Sequence, residues 1–169
     1  LQAGAITNKG TVYMQQGNYP EALESYLQSL KIYEEQNNKH GLSASYGNMA
    51  IIYSYQNDFE RALDYFRKAS ELDRQLNNLP GVAENLTNMG SLFSRTEKFD
   101  TALIYFNGAL QINTSLKDEY SLTNVLGNIS QVYMNAGKLD SAFKYCEITY
   151  KYAVKTGNVP YQANAVFNL

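Results

Sequence analysis

Apolar and small residues recur along this chain at intervals of three and four, the spacing that places them on one face of an α-helix. Within the second forty residues, for example, Tyr46, Met49, Ala50 and Tyr53 follow this spacing. Such stretches alternate with short polar breaks, and they predict helices of two kinds, A and B, in alternation. The predicted A helices cover residues 3–16, 42–56, 82–96 and 122–136. The predicted B helices cover residues 20–36, 59–76, 99–116 and 139–156.

The pattern repeats with a period of forty residues. Its clearest marker is an asparagine in each A helix, with a fifth near the end of the chain: Asn8, Asn48, Asn88, Asn128 and Asn168. A fixed period of this length is typical of arrays in which each helical pair buries its apolar face only against its neighbours. We therefore predict an all-α fold made of one array, with repeats at about 1–40, 41–80, 81–120 and 121–160. Residues 161–169 would begin a fifth repeat, so we expect the chain to be an excerpt of a longer protein.

Glycine, asparagine and proline mark the breaks between the helices. Gly17-Asn18 and Asn57-Asp58 can supply the left-handed backbone that ends an A helix, and the second residue of each pair can cap the next helix. Pro20 then lies in the first turn of a B helix, where a missing N–H costs nothing. Pro80-Gly81 is expected to reinforce the end of the B helix before it, because proline cannot continue a helix.

Small residues recur where the A and B helices of a repeat have to approach closely. Gly10 and Gly90 lie inside A helices, where glycine costs about 1 kcal/mol relative to alanine and therefore needs a packing reason. We predict that they face the alanines that recur in the B helices, which are Ala22, Ala62, Ala102 and Ala142. Cys146 is the single cysteine and stands where the other repeats have an aromatic residue. It is predicted to be a buried apolar filler rather than a reactive thiol.

The combination of these residues resembles the tetratricopeptide repeat. In the first repeat, the resemblance is carried by Asn8, Gly10, Tyr13, Gly17, Tyr19, Ala22, Leu23 and Tyr26. The same residue types recur in register through four units. The unit is longer than the usual ~34 residues, and in this it is similar to the repeats of Pins-like spindle-orientation adaptors, kinesin light chains and bacterial regulators. The resemblance implies an α-solenoid, a superhelix of four helix-turn-helix repeats whose A helices line a concave groove.

The resemblance also implies a binding site in that groove. In the family, asparagines equivalent to Asn8, Asn48, Asn88 and Asn128 form a ladder to the backbone of an extended peptide, because an amide offers both a donor and an acceptor. Residues further along each A helix would then select the side chains of the ligand. These residues are Thr11, Ile51, Ser91 and Gln131, followed by Tyr55, Arg95 and Asn135. The alternative is that each asparagine ties the backbone of an adjacent helix and contacts no ligand.

The charge of the chain limits the classes of partner. The formal net charge is −2 and no basic stripe is present, which argues against direct binding of nucleic acid. Residues 42–56 and 121–136 carry no charged side chain, so the expected groove is polar but nearly uncharged. No apolar run approaches the ~20 residues that span a bilayer, so we expect no membrane contact from this segment. The cellular compartment is left open.

Catalytic chemistry is not indicated by the sequence. His40 is the single histidine and is expected in a joint between repeats, so no histidine relay or histidine metal site can be assembled. No glycine-rich phosphate loop, nucleophile elbow or cluster of carboxylate ligands occurs. We therefore expect no enzymatic activity, no catalytic residues, no cofactor and no metal.

Three functions are compatible with these features. The first is a protein-protein interaction scaffold that binds a peptide or protein segment in the groove. The second is a sensor or regulatory segment of a larger bacterial signalling or transcription-regulatory protein, in which the array shifts between two curvatures. The third is a structural spacer or a surface for self-association.

Overall fold

The computed structural model describes residues 2–158, and these residues form eight α-helices with no β-strand among them. The helices are α1 (Gln2–Gln15), α2 (Tyr19–Glu35), α3 (Lys39–Tyr55), α4 (Phe59–Gln75), α5 (Leu79–Arg95), α6 (Phe99–Leu116), α7 (Glu119–Asn135) and α8 (Leu139–Thr156). The odd-numbered helices are the A helices and the even-numbered ones are the B helices. The predicted all-α fold of alternating helices is confirmed. The start of a fifth repeat at 161–169 lies outside the described residues.

The chain forms two compact units, Leu1–Asn85 and Leu86–Leu169, which divide inside α5. In the first unit, α1 packs on α2, α2 on α3 and α3 on α4, and α1 also contacts α3. In the second unit, the last residues of α5 pack on α6, α6 packs on α7, and α7 packs on α8. Each A helix is thus paired with the B helix that follows it, as the forty-residue period predicts.

Each of the eight helices is followed by one residue with left-handed backbone, and these residues are spaced twenty positions apart. They are Gly17, Asn37, Asn57, Asn77, Glu97, Lys117, Gly137 and Gly157, with φ between +49° and +77°. The N–H of the next residue donates to the carbonyl five residues earlier at 2.8–3.0 Å, as in Asn18 to Tyr13. This bond satisfies a carbonyl that the end of the helix leaves free. The predicted turns at Gly17 and Asn57 are confirmed.

Three of the A helices begin three residues earlier than predicted, at Lys39, Leu79 and Glu119. The reason for α3 and α7 is a side-chain cap: Asn38 accepts from the Gly41 N–H, and Asp118 accepts from the Ser121 N–H, each at 3.0 Å. His40 therefore lies in the first turn of α3, where it is exposed, and not in a joint between helices.

A proline accounts for the early start of α5. The expectation that Pro80-Gly81 closes the preceding helix is wrong, because Pro80 is the second residue of α5, where the helix has no use for its N–H. The predicted cap of α4 is confirmed, since Asp58 accepts from the Arg61 N–H at 3.1 Å. Asn18 forms no side-chain cap on α2.

The A and B helices of a repeat approach closely at the small residues, as predicted. A Cβ atom at Gly10 would lie 2.8 Å from the Tyr26 ring, and one at Gly90 would lie 2.8 Å from the Phe106 ring. The nearest neighbour is therefore the aromatic residue of the B helix and not the recurring alanine that we predicted. The four alanines are nevertheless buried: Ala22, Ala62, Ala102 and Ala142.

In the fourth repeat a smaller pair of side chains fills this contact. Cys146 takes the place of the aromatic residue and is buried, as predicted. Its thiol lies 2.9 Å from the hydroxyl of Ser130, which stands where Gly10 and Gly90 stand in their repeats. The Ser130 hydroxyl also donates to the Ala142 carbonyl at 3.3 Å. The thiol thus serves the packing between α7 and α8.

Candidate functional site

The four asparagines in register lie one on each A helix. Asn8 on α1 and Asn48 on α3 belong to the first unit, where the two helices are in contact, and Asn88 on α5 and Asn128 on α7 belong to the second. Asn8 is exposed and the other three are half-buried. None of the four side-chain amides has a hydrogen-bond partner within residues 2–158. The alternative role of these asparagines requires a hydrogen bond from each side-chain amide to an adjacent helix. No such bond is present among residues 2–158.

Each asparagine is part of a stripe of accessible residues along its A helix. On α3 the stripe consists of Asn48 and Ile51, which are half-buried, and Tyr55, which is 61% exposed. The other side of α3 is buried in the repeat through Ser45, Met49, Ile52 and Tyr53. We call the accessible stripe of each A helix its open face.

The open face of α7 is made of amide side chains. Asn128 is half-buried, and Gln131 and Asn135 are exposed. Nε2 of Gln131 donates to Oδ1 of Asn135 at 2.8 Å. Because residues 121–136 carry no charged side chain, this face offers its donors and acceptors through neutral amides.

The hydroxyl groups on the open faces of α1 and α5 are already engaged. Thr11 Oγ1 donates to the Thr7 carbonyl at 3.2 Å and lies 3.2 Å from the Tyr26 hydroxyl. Ser91 Oγ donates to the Thr87 carbonyl at 3.0 Å. Both hydroxyls thus keep only acceptor capacity for a ligand. Arg95, at the end of the same face of α5, is exposed and carries a positive charge.

Several of the fifteen tyrosines serve packing between the helices of a repeat. The rings of Tyr53 and Tyr65 stack with centroids 5.4 Å apart. Arg61 lies 4.4 Å over the Tyr53 ring, and Lys68 lies 4.9 Å over the Tyr65 ring. Burial raises the pKa of the Tyr65 hydroxyl above its ordinary value. Because Arg61 and Lys68 already cover the faces of these rings, the cluster has a structural role in the packing of α3 on α4.

Asp73 on α4 is a buried carboxylate, only 4% exposed. Nδ2 of Asn78 donates to one carboxylate oxygen at 2.8 Å, and Nδ2 of Asn85 donates to the other at 2.9 Å. Asn85 also donates to the Gly81 carbonyl at 2.9 Å. Because both oxygens are satisfied, the network is a tie between α4 and the start of α5. The forty-residue period does not predict this network, because the other repeats carry Tyr33, Asn113 and Ala153 at the position of Asp73.

The second unit contains a cleft of about 530 Å³ that the forty-residue period does not predict either. It lies between the turn from α5 to α6 and the turn from α7 to α8. Its lining residues are Glu97, Lys98, Phe99, Asp100, Thr101, Asn135, Ala136 and Lys138. Asn135 therefore belongs both to the open face of α7 and to the wall of the cleft. A difference between repeats could have revealed it, because Tyr55 stands in the second repeat where Asn135 stands in the fourth.

Between residues 2 and 158, no three His, Cys, Asp or Glu side chains are grouped so that they could bind a metal ion. Over the same range, no helix has both the length and the apolar character that crossing a membrane requires.

Comparison with models of protein families identifies the repeat. Two models of the tetratricopeptide repeat match the chain, at residues 1–75 and at residues 83–115, and these ranges make up well over half of it. No curated protein sequence is significantly similar to the chain.

Solved structures share the fold at low sequence identity. BtubC (BKLC) from P. vanneervenii is 24% identical and superposes with a TM-score of 0.83 over 92% of this chain and 64% of its own. Aspartyl phosphate phosphatase F from Bacillus subtilis is 21% identical, with a TM-score of 0.95 over 99% of this chain and 44% of its own. A STAND protein with a tetratricopeptide repeat sensor from Pyrococcus horikoshii is 16% identical, with a TM-score of 0.88 over 96% and 25%.

The chain spans less than two thirds of the length of each of these structures. At identities below 25%, the likeness establishes the fold and not the activity. The family models instead match the sequence of the chain itself, over residues 1–75 and 83–115. The chain belongs to the tetratricopeptide repeat family.

Proposed function

We propose that this chain is a protein-protein interaction scaffold whose A helices bind a peptide or protein segment along their open faces. The observation that carries the proposal is the set of four asparagines in register whose side-chain amides have no partner among residues 2–158. A half-buried amide loses solvation and regains it only through a hydrogen bond to water or to a ligand. The proposal requires no catalytic residue, cofactor or metal.

An extended segment suits these faces because its backbone presents N–H and C=O groups at regular intervals. Each asparagine can accept from one N–H and donate to one C=O, which recognises the backbone without demanding a particular sequence. Ile51 and Tyr55 would add apolar contacts on α3, and Gln131 and Asn135 would add polar ones on α7. The backbone contacts would thus give affinity, and these neighbours would give selectivity.

The test replaces one asparagine in each unit, as Asn48→Ala with Asn88→Ala. We expect the double variant to bind the partner some 30- to 150-fold more weakly, because two side chains that each exchange a pair of hydrogen bonds account for about 2–3 kcal/mol. The partner is first captured from lysate with the unmodified chain and identified by mass spectrometry. Its affinity for each variant is then measured by titration calorimetry.

A matched control replaces two exposed amides on B helices, Gln28→Ala with Asn107→Ala. This control should bind as the unmodified chain does, and both double variants should keep its melting temperature within a few degrees. Equal affinity of the A-helix variant and the control would contradict the proposal.

A second candidate function is the sensor or regulatory segment of a larger signalling protein. It is favoured by the fold shared with the STAND protein that carries a tetratricopeptide repeat sensor, of which the chain covers 25%. The reading frame that encodes this chain distinguishes the two functions. A kinase, DNA-binding or transmembrane segment in the same frame would favour the regulatory role.

The third candidate function is self-association. Light scattering across a range of concentrations tests it, and a chain that stays monomeric at high concentration would contradict it.

A further inference from the structure

The cleft in the second unit has a counterpart in the first. Eighty residues earlier in the repeat register, Phe99 corresponds to Tyr19 and Asn135 corresponds to Tyr55. In the first unit the Tyr55 ring stacks on the Tyr19 ring, with centroids 6.0 Å apart and planes inclined by 20°. The same place in the second unit therefore has an aromatic ring on one side only.

Asn135 does not replace the missing ring. Its side chain ends in a short amide, and Oδ1 of that amide accepts a hydrogen bond from Gln131 on the same helix. The half-buried Phe99 ring consequently lines the cleft of about 530 Å³. This volume falls in the range of roughly 300–1,000 Å³ that is typical of ligand sites.

The charges around the cleft cancel. Lys98 and Lys138 contribute two positive charges to its lining, and Glu97 and Asp100 contribute two negative ones. An ionic ligand would be repelled by one of these pairs, whereas a neutral ring would not. An aromatic ring also gains from stacking on another ring beyond what the burial of its area supplies.

We propose that this cleft takes one aromatic side chain of a bound protein segment, stacked on Phe99 as Tyr55 is stacked on Tyr19. The inference rests on the proposed function, because the aromatic residue belongs to the segment that lies along the open face of α7. Asn135 connects the two, since it ends that face and lines the cleft. A segment with an aromatic residue near the point where it leaves α7 would place the ring between the two turns.

The experiment titrates the isotope-labelled 169-residue chain with N-acetyl-tyrosinamide, which represents a tyrosine inside a peptide, and follows backbone amide signals by NMR. We expect saturable shifts confined to residues 97–101 and 135–138. N-acetyl-leucinamide should bind about two- to tenfold more weakly, because it buries apolar area but cannot stack. Equal responses to the two compounds, or shifts centred elsewhere, would overturn the proposal.

Variants test whether the stacking position is the one that binds. Asn135→Tyr supplies the missing ring from the chain itself and should abolish the response to N-acetyl-tyrosinamide. The same substitution at an exposed position of α6, Asn107→Tyr, should leave the response unchanged. A response that persists in Asn135→Tyr would show that the ring does not occupy the place above Phe99.

Two further measurements separate this inference from the proposed function. Free tyrosine should bind no more tightly than the blocked amide, and tighter binding would indicate a free amino acid as the ligand and contradict the inference. Asn88→Ala with Asn128→Ala removes the asparagines of the second unit and leaves the cleft intact. This variant should keep the full response to N-acetyl-tyrosinamide. Loss of that response would contradict the inference that the cleft binds the ring independently of the asparagines. The binding of the partner to the asparagine variants tests the open faces separately.

Discussion

Lys117 and Gly137 occupy equivalent turn positions with left-handed backbone, at φ of +56° and +71°. A side chain with a Cβ atom costs about 1–2 kcal/mol in this conformation, and glycine avoids that cost. We predict that Lys117→Gly raises the free energy of unfolding by about 1 kcal/mol and that Gly137→Ala lowers it by a similar amount. No neighbouring atom lies within 4 Å of a Cβ at Gly137, so the loss there would come from the backbone alone.

Urea denaturation measures both changes at the turn positions. The control is Lys117→Ala, which removes the charge but keeps the Cβ atom, and it should leave the free energy of unfolding unchanged. If Lys117→Ala stabilised the chain as much as Lys117→Gly, the charge and not the backbone would be responsible.

Gly81 is required for a different reason. A Cβ atom there would lie 2.4 Å from Nδ2 of Asn78 and 2.6 Å from Oδ2 of Asp73. We predict that Gly81→Ala lowers the free energy of unfolding by about 3 kcal/mol, because it overpacks the site and breaks the hydrogen bonds of a buried carboxylate. Thermal or urea unfolding measures the effect.

Gly47→Ala is the matched control for Gly81→Ala, since the nearest atom to its Cβ is Oδ1 of Asn85 at 4.0 Å. In an open helical position, alanine is favoured over glycine by up to about 1 kcal/mol. Gly47→Ala should therefore be neutral or stabilising. Similar losses at both glycines would mean that the Asp73 network contributes nothing specific.

At the scale of the helices, the sequence predicted the B helices closely and the starts of three A helices poorly. Three of the four B helices within residues 2–158 begin with an aromatic residue after a clear break, as at Tyr19 and Phe59, and the bounds of all four fall within one residue of the prediction. The A helices α3, α5 and α7 each follow a turn that also ends the preceding B helix. A cap such as Asn38 and an early Pro80 carry the same residue types as a helix end, so composition alone could not distinguish the two.

The start of α7 allows a test of such a cap. Hydrogen bonds from the N–H and the hydroxyl of Ser121 hold the pKa of Asp118 below its ordinary value. A lowered pKa in the folded state means that the ionised group adds stability above the ordinary value of about 3.9, and that this stability is lost as the pH falls through the folded-state value. We predict that Asp118→Ala costs about 1 kcal/mol at pH 7 and less at pH 3.

The pH dependence of urea unfolding measures this effect. Asp118→Asn is the control, because its amide oxygen can still accept from the Ser121 N–H but does not titrate in this range. Asp118→Asn should retain most of the stability that the cap contributes at pH 7, and this contribution should not change as the pH falls to 3. A loss in Asp118→Ala that is constant from pH 3 to pH 7 would contradict the role of the ionised carboxylate.

For the whole molecule, the forty-residue period predicted which side chains share a position but not what those side chains contact. It placed Asn48 and Asn128 on A helices, whereas their lack of bonds to the rest of residues 2–158 is visible only in the structure. The cleft beside Phe99 is harder still to predict, because it depends on two turns about forty residues apart. The exchange of Tyr55 for Asn135 is a single departure from the period, and its consequence depends on that geometry.

The distribution of charge leads to a last prediction, about salt. Residues 42–56 and 121–136 carry no charge, whereas the exposed ion pairs lie elsewhere, as between Lys68 and Asp64 on α4. Salt weakens attraction between exposed charges but leaves amide hydrogen bonds and apolar contacts largely intact. If the segment binds the open faces, its Kd should change by less than about threefold between about 0.05 and 0.5 M sodium chloride. Titration calorimetry at the two concentrations measures it, and a weakening of tenfold or more would mean that charged side chains, and not the amide and apolar groups of the open faces, account for most of the binding.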